Sequence, residues 1–333
     1  MNSTRSEYAT GLRAHILNYS ARQHTHWQRS YRSLEAYLQS VQPNRLQWQA
    51  ITRGIAGIET DIRLDVVGTE QSLTKLVLKT QHGLHCEALL ARPENARTQP
   101  AALVLCLHGI GGTPEMILGN ADTAPPSYHA VGRALLDAGF TVLAPRLINN
   151  FQERAQINRM ALLAGSSVWG LELQILAKLL DLVCSTFGFD EERIAVWGHS
   201  MGGAYTLYLM PQLPRIRTGI ISAWFNARPQ KMVVEDDRYT CFLPSEEEHA
   251  FLPGLLTAFS DQDLVSLILP RPLLIQSGKK DNIAWPAFVA KEFESAAHHY
   301  RQLQLQDRLQ WLLHPGSHEI DVDSGVQFLK KWL

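Results

Sequence analysis

Apolar residues follow three different rhythms along this chain. In the first part Trp27, Tyr31, Leu34 and Leu38 recur at spacings of four, three and four, which is one stripe of a helix with polar remaining faces. Residues 1–58 are therefore expected to form a helical extension whose stripe lies against the rest of the chain or against a second copy of it. The pattern leaves both open. Residues 62–67, 73–80 and 84–91 read as strands, the last two joined by a Gln81-His82-Gly83 turn, so the sheet opens with antiparallel pairs. From Ala101 onward, short, mainly apolar runs at 102–107, 141–144, 194–197, 218–225, 273–276 and 311–313 alternate with helical patterns at 127–138, 168–184, 287–299 and 326–333. Runs without polar alternation suit strands buried on both faces, which calls for a mostly parallel sheet, right-handed crossovers and helices on either side. The expected architecture is an α/β domain over 59–333 behind the helical extension.

One stretch breaks this rhythm. Residues 226–256 are too long for an ordinary connection of about 4 to 6 residues, and insertions of this kind often line an active site. They are expected to form a cap-like specificity element, with Trp224 and Asn226 emerging at its base. Arg228 and Lys231 either meet a carboxylate-bearing substrate or balance Glu235, Asp236 and Asp237 on a solvated surface. Residues 246–248 read as a helix start with acids at its positive end, and Asp263 as the N-cap of the apolar run 264–269.

The most specific chemical signal is Gly198-His199-Ser200-Met201-Gly202, directly after the run 194–197 and before Ala204, Tyr205, Leu207, Tyr208 and Leu209. A serine between two glycines at a strand-to-helix junction is the sequence form of a nucleophile elbow, in which bare glycines allow a turn too tight for side chains. Such a serine needs a base and an acid to orient the base, in the chain order serine, acid, histidine. Asp281 follows the run 273–276 in a Gly-containing loop, where it would sit at the carboxyl edge of the sheet. His318 follows the run 311–313 beyond a Pro-Gly turn that can swing it back over that edge. His314 competes with His318, and Asp263 with Asp281. His318 is expected to take the serine proton and return it to the leaving group, with Asp281 fixing the imidazole tautomer.

A charge that develops on a carbonyl oxygen also needs donors. The run 102–107 ends in His108-Gly109-Ile110-Gly111-Gly112, where backbone N–H groups can face a ligand. The amides of Ile110 and Met201 are the expected oxyanion hole, the second lying at the positive end of the helix after the elbow. His108, Gly111, His199, Trp224 and Asn226 are the expected pocket lining. Reading Gly109-Ile110-Gly111 as a dinucleotide fingerprint fails, because Pro114 stands where the third glycine belongs and the strand at 141–144 is followed by Pro145-Arg146 with no acid for a ribose.

With these residues in place, the chain resembles the α/β-hydrolase superfamily, and within it the dienelactone hydrolase-like and acetyl xylan esterase-like branch. The resemblance covers about residues 60–333 and rests on LHGIGGTPEM, WGHSMGG, LPRPLLIQSGKKD and HPGSHEI. It implies Ser200, Asp281 and His318 as a triad, no metal or organic cofactor, and cleavage of a small-molecule carboxylic ester, of short acyl length, through an acyl-enzyme. Dienelactone hydrolases proper carry a cysteine where this chain has Ser200, so that particular activity does not carry over. A thioesterase, a peptidase or an acyltransferase would use the same triad, and a ligand-binding protein of this fold would keep it without turnover.

Composition changes little in this picture. A chain of 333 residues that is 45% hydrophobic can bury a large core, and a net charge of −1 gives no general attraction to nucleic acid or anionic membrane. Cys86, Cys106, Cys184 and Cys241 have no paired metal spacing and are expected to be reduced, while the first residues lack the apolar run of a signal peptide, so a cytoplasmic protein is expected. His24 and His26, two apart, and the adjacent His298 and His299 lack the i, i+4 spacing of a helical metal site and are expected on the surface. A homo-oligomer remains one use of the amino-terminal stripe.

Overall fold

The computed structural model describes residues 3–22, 27–58, 60–94, 101–119, 126–234, 236 and 245–333, so His24, His26, Glu235, Asp237 and Cys241 lie outside the described residues. Its sheet has nine strands: β1 Arg63–Glu70, β2 Leu73–Lys79, β3 His85–Ala91, β4 Leu103–Leu107, β5 Thr141–Pro145, β6 Ile194–His199, β7 Ile216–Ser222, β8 Leu273–Gly278 and β9 Leu309–His314. They lie in the order β1-β2-β3-β5-β4-β6-β7-β8-β9. The pairs β1·β2, β2·β3 and β3·β5 are antiparallel and every later pair is parallel, the mixed order that the apolar pattern predicts.

Strand alternation divides the core. Leu103, Leu105, Leu107, Val196, Ile221 and Ile275 point to one face, where the helices Val168–Phe187, Met201–Leu209, Asp261–Ile268 and Pro286–Gln302 cover them. Val104, Cys106, Ala195, Trp197, Ile220 and Leu274 point to the other, covered by Val131–Asp137 and Val322–Trp332. Cys86, Cys106 and Cys184 are buried and free. Among the described residues no single helix is long and apolar enough to cross a membrane.

The amino-terminal stripe is not one helix. Helices run Ser3–Arg22, Leu34–Ser40 and Gln42–Ile51, and residues 27–33 between the first two are irregular. Ser33 interrupts the periodicity, because its side chain accepts a hydrogen bond from Ala36 N–H and starts a new helix. Three of its four apolar residues, Trp27, Tyr31 and Leu38, pack inward, while Leu34 is exposed. Trp27 meets Phe259 edge-on, Tyr37 donates to the Ser266 carbonyl at 2.9 Å, Trp48 Nε1 donates to the Tyr208 carbonyl at 3.1 Å, and Arg29 pairs with Asp263 at 2.5 Å. Residues 27–51 therefore lie over the helices Met201–Leu209 and Asp261–Ile268.

Two further expectations are corrected, and one helix is new. Asp263 is not an N-cap; Ser260 is, and Asp263 completes a capping box by accepting from the Ser260 N–H at 3.0 Å. His299 is buried, bonded to Tyr31 Oη at 2.6 Å and to Gln262 Oε1 at 2.8 Å, while its neighbour His298 is exposed. Adjacent helical residues face about 100° apart, so although both rings pack against Tyr31, only His299 is turned inward. A helix at Phe151–Leu163, for which the apolar pattern gave no expectation, is capped by Asn150, whose side chain accepts from Glu153 N–H at 3.1 Å.

Candidate active site

In the sheet order, β4 stands between β5 and β6, so the chain reverses direction across the sheet there and leaves a crevice beyond the carboxyl ends of β4 and β6. The loop after β4 and the elbow after β6 meet in that crevice. A methyl group on Gly109 would come within 3.0 Å of Ser200 Cβ.

Ser200 has φ 54° and ψ −119°, a strained conformation for a residue with a side chain, and its neighbours explain how the turn closes. A Cβ on Gly198 would strike the Gly202 backbone, and one on Gly202 would strike the Leu107 carbonyl of β4. Ser200 N–H donates to the Ser222 carbonyl at 2.8 Å, which pins the elbow to β7. The serine side chain is half-buried at the mouth of the crevice.

Asp281 follows β8 and His318 follows β9, and the two loops are sewn together by Lys279 N–H to the His314 carbonyl at 2.8 Å and Lys280 N–H to the Gly316 carbonyl at 2.9 Å. His318 Nδ1 then lies 2.8 Å from Asp281 Oδ2. The His318 ring rests against His199, the residue before the serine, with centroids 5.0 Å apart. Burial alone would raise the Asp281 carboxyl, but the hydrogen bond and charge of His318, the Ile283 amide at 3.0 Å and the Lys231 charge outweigh it and hold the group below its usual range. Of the competing residues, His314 is buried with Nδ1 accepting from Gly316 N–H, and Asp263 is committed to its capping box and Arg29.

The Ile110 and Met201 amides have no hydrogen-bond partner among the described residues. Gly111, with φ +70°, donates its N–H to the Asn149 carbonyl and is exposed at the loop surface.

The expected pocket lining divides. His199 is buried between the His318 ring and the Tyr128 ring, and burial, then the charges of His318 and His129, drives its basicity well below the usual histidine value. It therefore stays neutral beside the His318 imidazole. Trp224 is half-buried, and a Cβ on Gly203 would lie 2.9 Å from the Trp224 Cβ, while its indole packs near Trp169, with ring centroids 6.3 Å apart. His108 does not line a pocket: it is fully buried, donates from Nδ1 to the Gly109 carbonyl at 2.8 Å and accepts at Nε2 from Leu147 N–H at 3.0 Å. Burial pushes its pKa down to about 4. A neutral imidazole that uses both nitrogens internally is a clamp on the loop. Asn226 is likewise fully buried, its N–H donating to Asp261 at 2.9 Å, because the chain turns inward after β7.

Arg228 is buried with Asp261 at 2.9 Å and over the Trp224 ring at 4.1 Å, and Lys231 donates to the Ile283 carbonyl at 2.6 Å in the acid loop. These basic residues tie residues 226–232 to the site's frame, away from a solvated surface. The short turn Glu248–Ala250 takes Glu247 as its N-cap.

Several supporting residues give no motif in sequence. Tyr128 Oη accepts from Gly109 N–H at 2.9 Å, and Asn149 Nδ2 donates to the Gly112 carbonyl at 2.5 Å. Asn149 is marked only by the neighbouring Asn150-x-x-Glu153 cap, and Tyr128 by no local signal. Among the described residues no three His, Cys, Asp or Glu side chains are grouped to hold a metal ion.

No protein-family model and no curated protein match this chain. The likeness lies in solved structures. A Bacteroides fragilis structure described as an acetyl xylan esterase superposes with a TM-score of 0.69 at 16% identity, covering 91% of this chain and 81% of its own. A glucuronoyl esterase from Solibacter usitatus gives 0.67 at 13%, covering 90% and 93%, and a methylesterase gives 0.64 at 16%, covering 96% and 67%. The fold is that of the α/β-hydrolases. The neighbours so described are hydrolases of carboxylic esters.

Proposed function

We propose that the protein is a serine hydrolase of carboxylic esters, with Ser200 as nucleophile, His318 as general base and acid, and Asp281 as the orienting acid. The observation that carries this reading is the His318–Asp281 hydrogen bond of 2.8 Å, with the His318 ring packed on His199, the residue before a serine held at φ 54°. With Asp281 accepting from Nδ1–H, the imidazole keeps its lone pair on Nε2. Ser200 Oγ attacks the ester carbonyl as its proton passes to Nε2, and the tetrahedral oxyanion is met by Ile110 and Met201 N–H. The protonated Nε2 returns the proton to the departing alkoxide, leaving an acyl-serine and a free alcohol. Water, deprotonated by the same nitrogen, then releases the carboxylic acid and restores the serine. Asp281 stays ionised throughout and stabilises the imidazolium. Neighbours described for acetyl and methyl esters favour a substrate with a small acyl or a small alcohol part.

Hydrolysis of a nitrophenyl ester series from acetate to long acyl chains, by wild type and Ser200→Ala in parallel, tests the reading. Turnover confined to wild type, strongest with short chains, is expected. Equal rates in both proteins, or Ser200 left unlabelled by a fluorophosphonate in folded wild type, would refute it.

A further inference from the structure

Two oxyanion donors from separate segments are useful only if their spacing is fixed; the packing of Gly202 on the Leu107 carbonyl fixes the elbow against the end of β4, but Ile110 lies three residues beyond that end and needs further support. The loop carrying Ile110 is held from beneath. Gly111 N–H donates to the Asn149 carbonyl at 2.9 Å, and Asn149 Nδ2 returns a bond to the Gly112 carbonyl at 2.5 Å. The residue before Asn149 is gripped at both of its backbone groups. Glu172 Oε1 accepts from Ile148 N–H at 2.8 Å, and Arg154 Nη1 donates to the Ile148 carbonyl at 2.8 Å.

These two side chains bind each other at 2.5 Å and share a third partner. Arg154 Nη2 donates to Tyr205 Oη at 3.0 Å, and that hydroxyl donates to Glu172 Oε2. All three residues are buried. Tyr205 belongs to the helix that begins at Met201, the other donor. The connection therefore runs from one donor's helix, through Tyr205, Glu172 and Arg154, to Ile148 and Asn149, and so to the other donor's loop.

We propose that the buried Arg154–Glu172–Tyr205 cluster is a positioning device that sets the spacing between the Ile110 and Met201 amides, a role that rests on the esterase reading above. A buried ion pair is weak evidence of net stability, since apolar replacements of similar volume are often neutral or better. A fixed geometry is what such a cluster can supply at this place. Misplacing reacting groups by about 1 Å can cost about a hundredfold in rate, and losing an oxyanion donor costs at least as much.

The test uses Tyr205→Phe, which removes one hydroxyl and leaves the Arg154–Glu172 pair, and Asn149→Ala at the half-buried end of the same path. Each is expected to lower kcat about tenfold to a hundredfold with little change in KM, and to weaken an alkyl boronic acid, which forms a tetrahedral serine adduct, by a similar factor. The pH midpoint of kcat/KM should not move, because His318 and Asp281 are untouched. Arg159→Gln, on the exposed side of the helix that bears Arg154, should behave as wild type. Variants that both stay within about twofold of wild type, or that raise KM with kcat intact, overturn the proposal. If Tyr205→Phe does not fold, Asn149→Ala decides alone. Wild type that neither turns over esters nor reacts with the fluorophosphonate removes the esterase reading and this role with it, whereas active wild type with unaffected variants removes only this role.

Discussion

Asp281→Asn is the most informative single change, because the structure dictates how the amide must sit. Asp281 uses its two oxygens separately: Oδ1 accepts from Ile283 N–H at 3.0 Å and Oδ2 faces His318 Nδ1 at 2.8 Å. An asparagine has one acceptor and one donor end. Placing NH2 against the Ile283 N–H would oppose two donors, so the carbonyl oxygen stays there and NH2 turns to His318. The imidazole must then accept at Nδ1 and carry its proton on Nε2, the nitrogen that has to be bare to take the serine proton. A wrong tautomer of this kind costs about 10⁴-fold in kcat in serine proteases with the same arrangement, about 5 kcal/mol of barrier. The same loss is expected here at pH 7 with nitrophenyl acetate, while circular dichroism and the denaturation midpoint change little, since both hydrogen bonds keep a donor and an acceptor. A folded Asp281→Asn enzyme within about tenfold of wild-type kcat/KM would refute the assignment of Asp281 as the orienting acid, because that factor is only about 1.4 kcal/mol.

Other perturbations report on other parts of the argument. Gly202→Ala drives a methyl group into the Leu107 carbonyl and should cost more than about 2 kcal/mol in urea denaturation together with activity; a stable, active variant would mean the elbow is looser than described. Trp27→Ala removes an indole that is 8% exposed and packs on Phe259 and under Arg29, for an expected loss of about 3 kcal/mol by the same assay, against no loss if residues 27–33 were only loosely attached. Glu292 accepts from Gln262 N–H at 2.8 Å, and its pKa is pushed up to about 8 by burial and then by the charges of Asp261 and Asp263. The folded state therefore holds a proton that the unfolded chain releases above its ordinary carboxyl value of 4.5, so stability should fall as pH rises between 4.5 and about 8, by at most about 1.4 kcal/mol per pH unit. Glu292→Gln should flatten that slope in thermal melts; an unchanged slope would show that Glu292 is ionised in the folded protein.

The sequence by itself determined what depends on near neighbours in the chain. Mainly apolar runs defined the strands because a strand buried on both faces needs no polar alternation, and Gly-X-Ser-X-Gly defined the elbow because the steric demand falls on residues two apart. The residue types of a serine, an acid and a histidine, and their order, were legible for the same reason. Choices among distant partners were not. The Pro-Gly turn before His318 already favoured it over His314, but its contact with Asp281 depends on how the loops after β8 and β9 are sewn together, and that pairing joins residues 37 positions apart. His108 and Asn226 read as pocket residues from their place after strands, yet the tertiary structure turns both inward, and His299 is buried because Tyr31 packs against it. Arg154, Glu172 and Tyr205 carry no motif at all: each is an ordinary residue on its own helix, and only packing brings the three together beneath the loops. Helical and strand periods are written in local backbone geometry, whereas the partner of a buried polar group is chosen by whichever segment the fold sets against it.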